Sequence, residues 1–451
     1  MGPIRGGVPT STACAISRID LPAPSPSLAL ALNTDTHLRI TSLAAFSTPA
    51  LALWLPSGYA YGTALLLLGA LLAAPHWLRQ PIPPSARWLL AAFVVMALVW
   101  LHGSDWSKGV SVLNKPMRYV LAVPCLLYAL RFPPRSDWLV TGIAIGAASG
   151  GLRALYDVGV LDMGRPWMTP SSASNAIQLG NLSGLFGLMC WLQAMVHWPR
   201  WRWPLRVGML ACCALGLLGL LLSQTRGGWL ALALCVPVLL GLLAWRVSAS
   251  RALVALAALC VLLLPMVLEM GPKIEQRVNW ALNEVSAYDQ SGDANTSVGQ
   301  RLDHWQLAWA MGQDRPFLGW GDAQYVSEKE RRVAIGQAAP AVVAFGHTHN
   351  ELLDQFVKRG LVGVFGLLFL YLVPLTLFWP HRTKVGRSAA MDSRSDECGL
   401  RLIGVAVPLA YMGFGLTQVF FAHYNGVVIY LDLVIFIFAA LSVYRPDEPL
   451  K

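Results

Sequence analysis

The sequence predicts an all-α, polytopic membrane protein with about twelve transmembrane helices and one long loop outside the cytoplasm that contains amphipathic helices. Three observations predict it. Of the 451 residues, 55% are hydrophobic and 13% charged, about half the charge of a typical soluble domain. Mean hydropathy is +0.52. Tryptophan occurs 18 times, and many copies end apolar runs: Trp54, Trp77, Trp88, Trp100, Trp138, Trp191, Trp203 and Trp245. Indoles favour the headgroup layer, so these read as an aromatic belt.

Residues 1–37 are polar and rich in Pro, Ser and Thr. They lack a charged start followed by a long apolar stretch and a cleavage site, and read as a flexible cytoplasmic tail. Apolar runs long enough to span follow at 38–56, 59–76, 86–103, 117–131, 137–159, 175–197, 204–223, 227–246 and 250–269, and then at 355–379, 400–421 and 424–444. Helices 1–9 thus occupy 38–269 and helices 10–12 occupy 355–444, with a cytoplasmic C-terminus over 445–451. Interior Pro and Gly are tolerated where neighbouring helices satisfy the freed backbone groups.

Lys and Arg set the orientation. With the N-terminus inside, the inner segments hold 19 of them and the short outer segments 6. Both termini are therefore expected in the cytoplasm, and the 270–354 loop in the periplasm of a bacterial inner membrane. Within that loop Ile274, Val278, Leu282 and Val285 recur at helical spacing, as do Leu302, Trp305 and Trp309. They predict amphipathic helices over 273–286 and 300–313. A mobile turn is expected from Asp289 to Val298, and Pro316, Gly319 and Gly321 end the second helix.

Several function classes drop out. The net charge of +10 is spread over short loops rather than gathered on one domain, so nucleic acid is not a partner. Six cysteines lie in apolar runs, Cys14 and Cys398 fall in expected cytoplasmic segments, and the loop has none. No disulfide or thiolate metal site forms there. A transport pathway needs ionisable groups inside the bundle. Only Asp432, and Arg153 with Asp157 at i,i+4 spacing, qualify, and no internal repeat is visible.

Three positions invite chemistry, all at the outer boundary. Arg226 stands in Ser-Gln-Thr-Arg-Gly-Gly. It is either a snorkelling helix anchor or an anion site whose glycines permit close backbone approach. Arg301, beside Gln300, opens the second loop helix. It is either a solvated charge or a second phosphate clamp aided by a helix N-terminus. His347-Thr-His349-Asn350 precedes helix ten, where histidine suits acid–base work near neutrality. Structural hydrogen bonding and helix capping are the plainer alternatives. His-x-His spacing could hold zinc, but no third ligand stands at recognisable spacing, so no metal is expected. Asp303 and Asp314 are alternative bases. Lys115 and Arg118, at the outer end of helix four, are read first as anchors.

With these pieces in order, the chain resembles the O-antigen ligase and polymerase superfamily of bacterial envelopes, most closely the O-antigen ligases. The likeness rests on Ser223-Gln-Thr-Arg226-Gly-Gly-Trp, on Arg301-x-x-x-Trp305 followed by Pro316 and Gly319-Trp-Gly321, and on His349-Asn350-x-x-Leu353 followed by Gly360 and Gly363. The resemblance implies transfer of an O-antigen glycan from undecaprenyl diphosphate to lipid A–core at the periplasmic face, by a metal-independent, inverting reaction without a cofactor. It implies that His349 is the essential histidine and that Arg226 and Arg301 are the essential arginines. Gln300, Asn350 and His347 stand as supporting residues, and Lys115 and Arg118 as groups for core or lipid A phosphates. An O-antigen polymerase or a protein O-oligosaccharyltransferase, sharing the donor, and a lipid-linked glycan transporter are the competing readings.

Overall fold

A computed structural model describes Gly2 and residues 33–166, 175–291, 296–380 and 391–444. The expected N-terminal tail up to residue 32, part of the 289–298 turn, the basic positions Arg382, Lys384 and Arg387, and the C-terminus from 445 lie outside the described residues, Gly2 apart.

Every expected span carries a helix, though the run 400–421 stays helical only to Gly415. The helices are α1 Thr34–Ala52, α2 Tyr59–Leu72, α3 Pro84–His102, α4 Asn114–Arg131, α5 Ser136–Gly159, α6 Ala176–His197, α7 Trp203–Leu222, α8 Arg226–Arg246 and α9 Ala249–Ser291. After the loop helices α10 Ser297–Asp314 and α11 Gly321–Ala334 come α12 Glu351–Phe378, α13 Met391–Gly415 and α14 Tyr424–Ser442. Nine of these, among the described residues, are long and apolar enough to cross a membrane. The other three expected spans are α1 and α4, which carry more polar residues, and α2, which is shorter.

The core is built around α6 and α14. α6 is buried at every position but Ile177, and α7, α5 and α13 pack on it. In lipid, apolar side chains gain little from leaving one apolar medium for another, so close backbone approach drives packing. Ser183 on α6 donates to the Gly216 carbonyl of α7 at 3.0 Å, and Gly187 lies against Cys213 and Gly216. Two sets of buried charged groups inside the bundle are paired. Asp432 of α14 accepts from Thr63 at 2.6 Å and Thr48 at 3.3 Å, and Arg153 meets Asp157 at 2.8 Å.

Several expectations are corrected. The amphipathic segment 273–286 is not a separate helix but the continuation of α9, which runs unbroken for 43 residues through Pro265 and Pro272. At 1.5 Å per residue such a helix is roughly 65 Å long, about twice the hydrocarbon thickness, so its second half projects beyond it. Helix α11 was not anticipated. Its Glu328–Arg332 pair at 2.7 Å is the i,i+4 signal that marks it. The run 400–421 does not stay helical: α13 stops at Gly415 and frees 416–423. Trp100 and Trp191 do not join the aromatic belt. Both are buried, and Trp191 Nε1 donates to the Ala255 carbonyl at 3.0 Å.

A backbone exchange inside α12 docks the loop on the bundle. Gly360, inside α12, has φ 63° and ψ −156°, a region essentially reserved for glycine. The break frees two amides, and the 316–317 backbone takes them: Leu361 N donates to Pro316 O at 2.7 Å and Val362 N to Phe317 O at 3.3 Å. In return Trp320 N donates to Val357 O at 3.0 Å. A Cβ on Gly360 would stand 2.2 Å from the Phe317 carbonyl carbon. Leu307, Ala308, Met311, Tyr325 and Val342 of the loop close a small core on Val357 of α12. Gly360→Ala is therefore expected to cost at least about 2 kcal/mol and to lower the melting temperature in detergent. Gly208→Ala, with open space around it, serves as control; equal melting of the two variants would refute the docking role.

Candidate active site

The segment 346–350 is held residue by residue before α12 begins. Asn350 caps that helix, its Oδ1 accepting from Leu353 N at 3.0 Å. The buried Asp354 carboxylate accepts from Thr348 N at 3.1 Å and from Lys358 Nζ at 3.0 Å. Lys358 in turn donates to the Gly346 carbonyl at 2.8 Å. From α10, Trp305 Nε1 donates to the Thr348 carbonyl at 2.7 Å. Within this frame His349 adopts φ 56°, a left-handed conformation uncommon for a non-glycine residue. The cap, the carboxylate and the indole over-determine the strand of chain on either side of it, which is how such a conformation persists.

His349 presents a half-buried imidazole. Its Nδ1 lies 2.9 Å from Gln418 Oε1 in the freed 416–423 segment. His347 packs edge-on against it at 4.5 Å between centroids, and Phe345 at 5.2 Å. His423 joins the group, 6.0 Å from the His347 ring. Burial is the first cause holding His349 below the ordinary histidine range, with the Arg301 charge adding to it and the Gln418 contact opposing. Burial likewise pushes His347 and His423 down to about 4. The three rings are thus neutral at pH 7 and able to accept protons.

Arg226 and Arg301 arrive from separate elements, α8 and α10, and meet at this centre. Burial and then the neighbouring Arg226 charge lower the Arg301 pKa, and Glu284 opposes weakly. Neither guanidinium forms an ion pair with a carboxylate among the described residues. Two like charges half-buried side by side are unfavourable unless an anion comes between them. The glycines after Arg226 serve protein packing rather than a ligand: a Cβ on Gly227 would stand 2.0 Å from Thr417 Oγ1, and one on Gly228 2.7 Å from Asn181 Oδ1. That packing presses the start of α8 against Thr417, the residue next to Gln418.

Gln300 sits in the first turn of α10, and its side chain makes no hydrogen bond among the described residues. Lys115 lies 4.5 Å over the Trp100 ring and Arg118 3.7 Å over Tyr424. They stand on the His423 side of the centre, where the Lys115 charge acts on His423. Asp303 and Asp314 are engaged elsewhere: Asp303 accepts from Ala339 N at 2.8 Å, and Asp314 pairs with Arg332. His423 supplies the third histidine that the sequence lacked at recognisable spacing. Even so, no three His, Cys, Asp or Glu side chains converge as a metal set among the described residues.

Sequence reasoning missed Gln418, His423, Asp354 and Lys358. Asp354 and Lys358 had a signal, an i,i+4 pair four residues past a capping asparagine. Gln418, near the end of the run expected over 400–421, and His423, in the short link after it, had only their polarity.

These features define a multi-pass membrane protein with a histidine and two unpaired arginines at one end of its helix bundle. Residues 210–368 match the family described as O-Antigen ligase, and Arg226, Arg301 and His349 all fall inside that stretch. An O-antigen ligase of Escherichia coli is 28% identical over 166 residues, 36% of this chain and 39% of that protein. A Haemophilus influenzae protein described as uncharacterized is 24% identical over 383 residues, 84% of this chain and 93% of its own length. Over residues 210–368 the chain is therefore similar to the O-antigen ligase family, a likeness that supports a glycosyl-transfer enzyme of the kind that handles lipid-linked glycans.

The Asp354–Lys358 pair is buried at both ends, and breaking such a pair leaves an uncompensated charge. Lys358→Met is expected to cost about 3 kcal/mol, and Asp354→Asn added to it should restore part of the loss. Melting curves in detergent check this; a silent single variant would refute the pair's role in holding the histidine segment.

Proposed function

We propose that this protein is an O-antigen ligase: it transfers O-antigen polysaccharide from undecaprenyl diphosphate to the lipid A–core oligosaccharide at the periplasmic face of the inner membrane, with both its termini in the cytoplasm. The observation that carries the reading is the convergence of Arg226, Arg301 and His349 from α8, α10 and the α12 cap. The leaving group is a diphosphate, whose charge grows as the glycosidic bond breaks. Two guanidinium groups already placed and unpaired stabilise that charge without reorganising, and bidentate forks match phosphate oxygens. They supply the countercharge a divalent cation would otherwise bring.

The acceptor is a sugar hydroxyl, a poor nucleophile. His349, neutral at pH 7, takes its proton as the oxygen attacks the anomeric carbon. The C–O bond to the acceptor forms as the C–O bond to the diphosphate breaks, and one displacement inverts the carbon. Both substrates are lipids with projecting sugars, so a site where the bundle meets its loop receives both by lateral diffusion. Lys115 and Arg118, on the His423 side of the centre, would meet acceptor phosphates.

The test is transfer in detergent by the purified chain, with lipid-linked O-antigen, lipid A–core and EDTA. Laddered lipopolysaccharide is expected. His349→Ala should lower the rate by about 10²–10⁴-fold, and Arg226→Ala or Arg301→Ala by about 10²–10³-fold, whereas His347→Ala stays active. Because the base works unprotonated and burial holds its pKa below the ordinary histidine range, activity should be full at pH 7 and fall on acidification. Product only with a second lipid-linked glycan or a peptide hydroxyl as acceptor would reassign the protein to polymerase or protein glycosylation. An active His349→Ala would overturn the mechanism.

A further inference from the structure

Gln418 takes no part in the chemistry above, yet both ends of its amide are engaged at the centre. It lies in the segment between α13 and α14 and is 3% exposed. Its Oε1 is 2.9 Å from His349 Nδ1, and its Nε2 is 3.3 Å from His423 Nε2. The segment is fixed on both sides. Asn350 Nδ2 donates to the Leu416 carbonyl at 3.4 Å, Thr417 is pressed against Gly227, and the buried Glu351 carboxylate accepts from Phe421 N at 3.0 Å.

An amide has a fixed polarity: its oxygen only accepts and its nitrogen only donates. An oxygen facing His349 Nδ1 requires that nitrogen to carry the hydrogen. The lone pair of the neutral ring is then on Nε2, which has no partner among the described residues. The amide nitrogen donates to His423 Nε2, which therefore carries a lone pair. That is consistent with a ring kept neutral by burial and by the Lys115 charge.

We propose that Gln418 is the positioning residue of the transfer reaction, selecting the His349 tautomer whose Nε2 accepts the proton and using neutral His423 as the backstop that sets the amide's own orientation. This rests on the reading of His349 as the base. Partner-imposed tautomer choice is the role a third group plays wherever a histidine acts as base. The charged and titratable groups around His349 are Arg301 and His304 of α10, with Arg226 of α8 behind Arg301, Asp354 and Lys358 of α12, and His347 and His423 on the flanking segments. None of them offers His349 Nδ1 an acceptor within hydrogen-bond distance, so the tautomer depends on Gln418.

The experiment uses the full chain in the same transfer assay, with Gln418→Leu and the isosteric Gln418→Glu, measuring kcat, donor KM and the pH profile. Gln418→Leu should lower kcat by about 10²-fold, as expected of a base set free to adopt the wrong tautomer, with donor KM within about twofold. Gln418→Glu keeps an acceptor at Nδ1 and adds a negative charge. It should retain more activity than the leucine variant and move the acidic limb upward by about one pH unit or more. A packing role alone would lower yield and rate in both variants and leave the limb in place. Wild-type kcat in Gln418→Leu, or an unmoved limb in Gln418→Glu, overturns the proposal. If Gln418→Leu does not fold, the pH profile of Gln418→Glu decides alone. An inactive His349→Ala beside normal Gln418 variants sinks only this inference; an active His349→Ala sinks the base itself.

Discussion

The arrangement of the centre depends on one buried carboxylate. Asp354, 1% exposed, holds the amide before His349 and the ammonium of Lys358, which reaches back to the Gly346 carbonyl. A carboxylate has four lone-pair directions and is costly to bury with any of them empty. Meeting that demand draws 346–348 into a single path against the first turns of α12. The Asn350 cap closes the path from the other side. His349, between these anchors, has little choice but its left-handed conformation. The strain is local, and the surrounding hydrogen bonds offset it.

The same helix connects this local order to the rest of the molecule. At Gly360 it breaks, and the backbone of 316–320 fills the gap. The loop that brings Arg301 is thereby indexed to the helix that brings His349. Beside the break, Arg359 is fully buried, stacked 4.0 Å over Trp100 and bonded to the Val99 carbonyl at 3.1 Å. Asp322 of α11 meets it at 3.3 Å. Charges that would be expensive in lipid sit together at one end of the bundle, each desolvated cation given an aromatic face, a carbonyl or a carboxylate. Arg226 and Arg301 are the exceptions, and their lack of carboxylate partners sets them apart from the scaffold.

How far the sequence could be read follows from which forces are local. The twelve apolar runs are legible because a membrane demands long, continuous segments whose backbone bonds close within themselves; all twelve became helices. The expected helix 300–313 lies within α10 for a similar reason, its apolar spacing being a property of that segment alone. The break expected near residue 270 failed because hydropathy falls there while helical hydrogen bonding does not. α9 carries on through two prolines. The run 400–421 failed in the opposite sense: Thr417 and Gln418 look tolerable in a helix, but Gly227 and His349 compete for them.

Composition, periodicity and motif order determined by themselves that this is an all-α membrane protein, and which histidine and arginines to watch. Those are features of residue type and spacing along the chain. Only the tertiary structure decided that Arg226 and Arg301 lie together, that a third histidine joins the pair from residue 423, and that an amide from residue 418 faces the His349 ring. Those partners stand 69 or more residues from His349 or on separate helices. No local pattern encodes a hydrogen bond of that span; it exists only once the helices have packed and brought the two segments together.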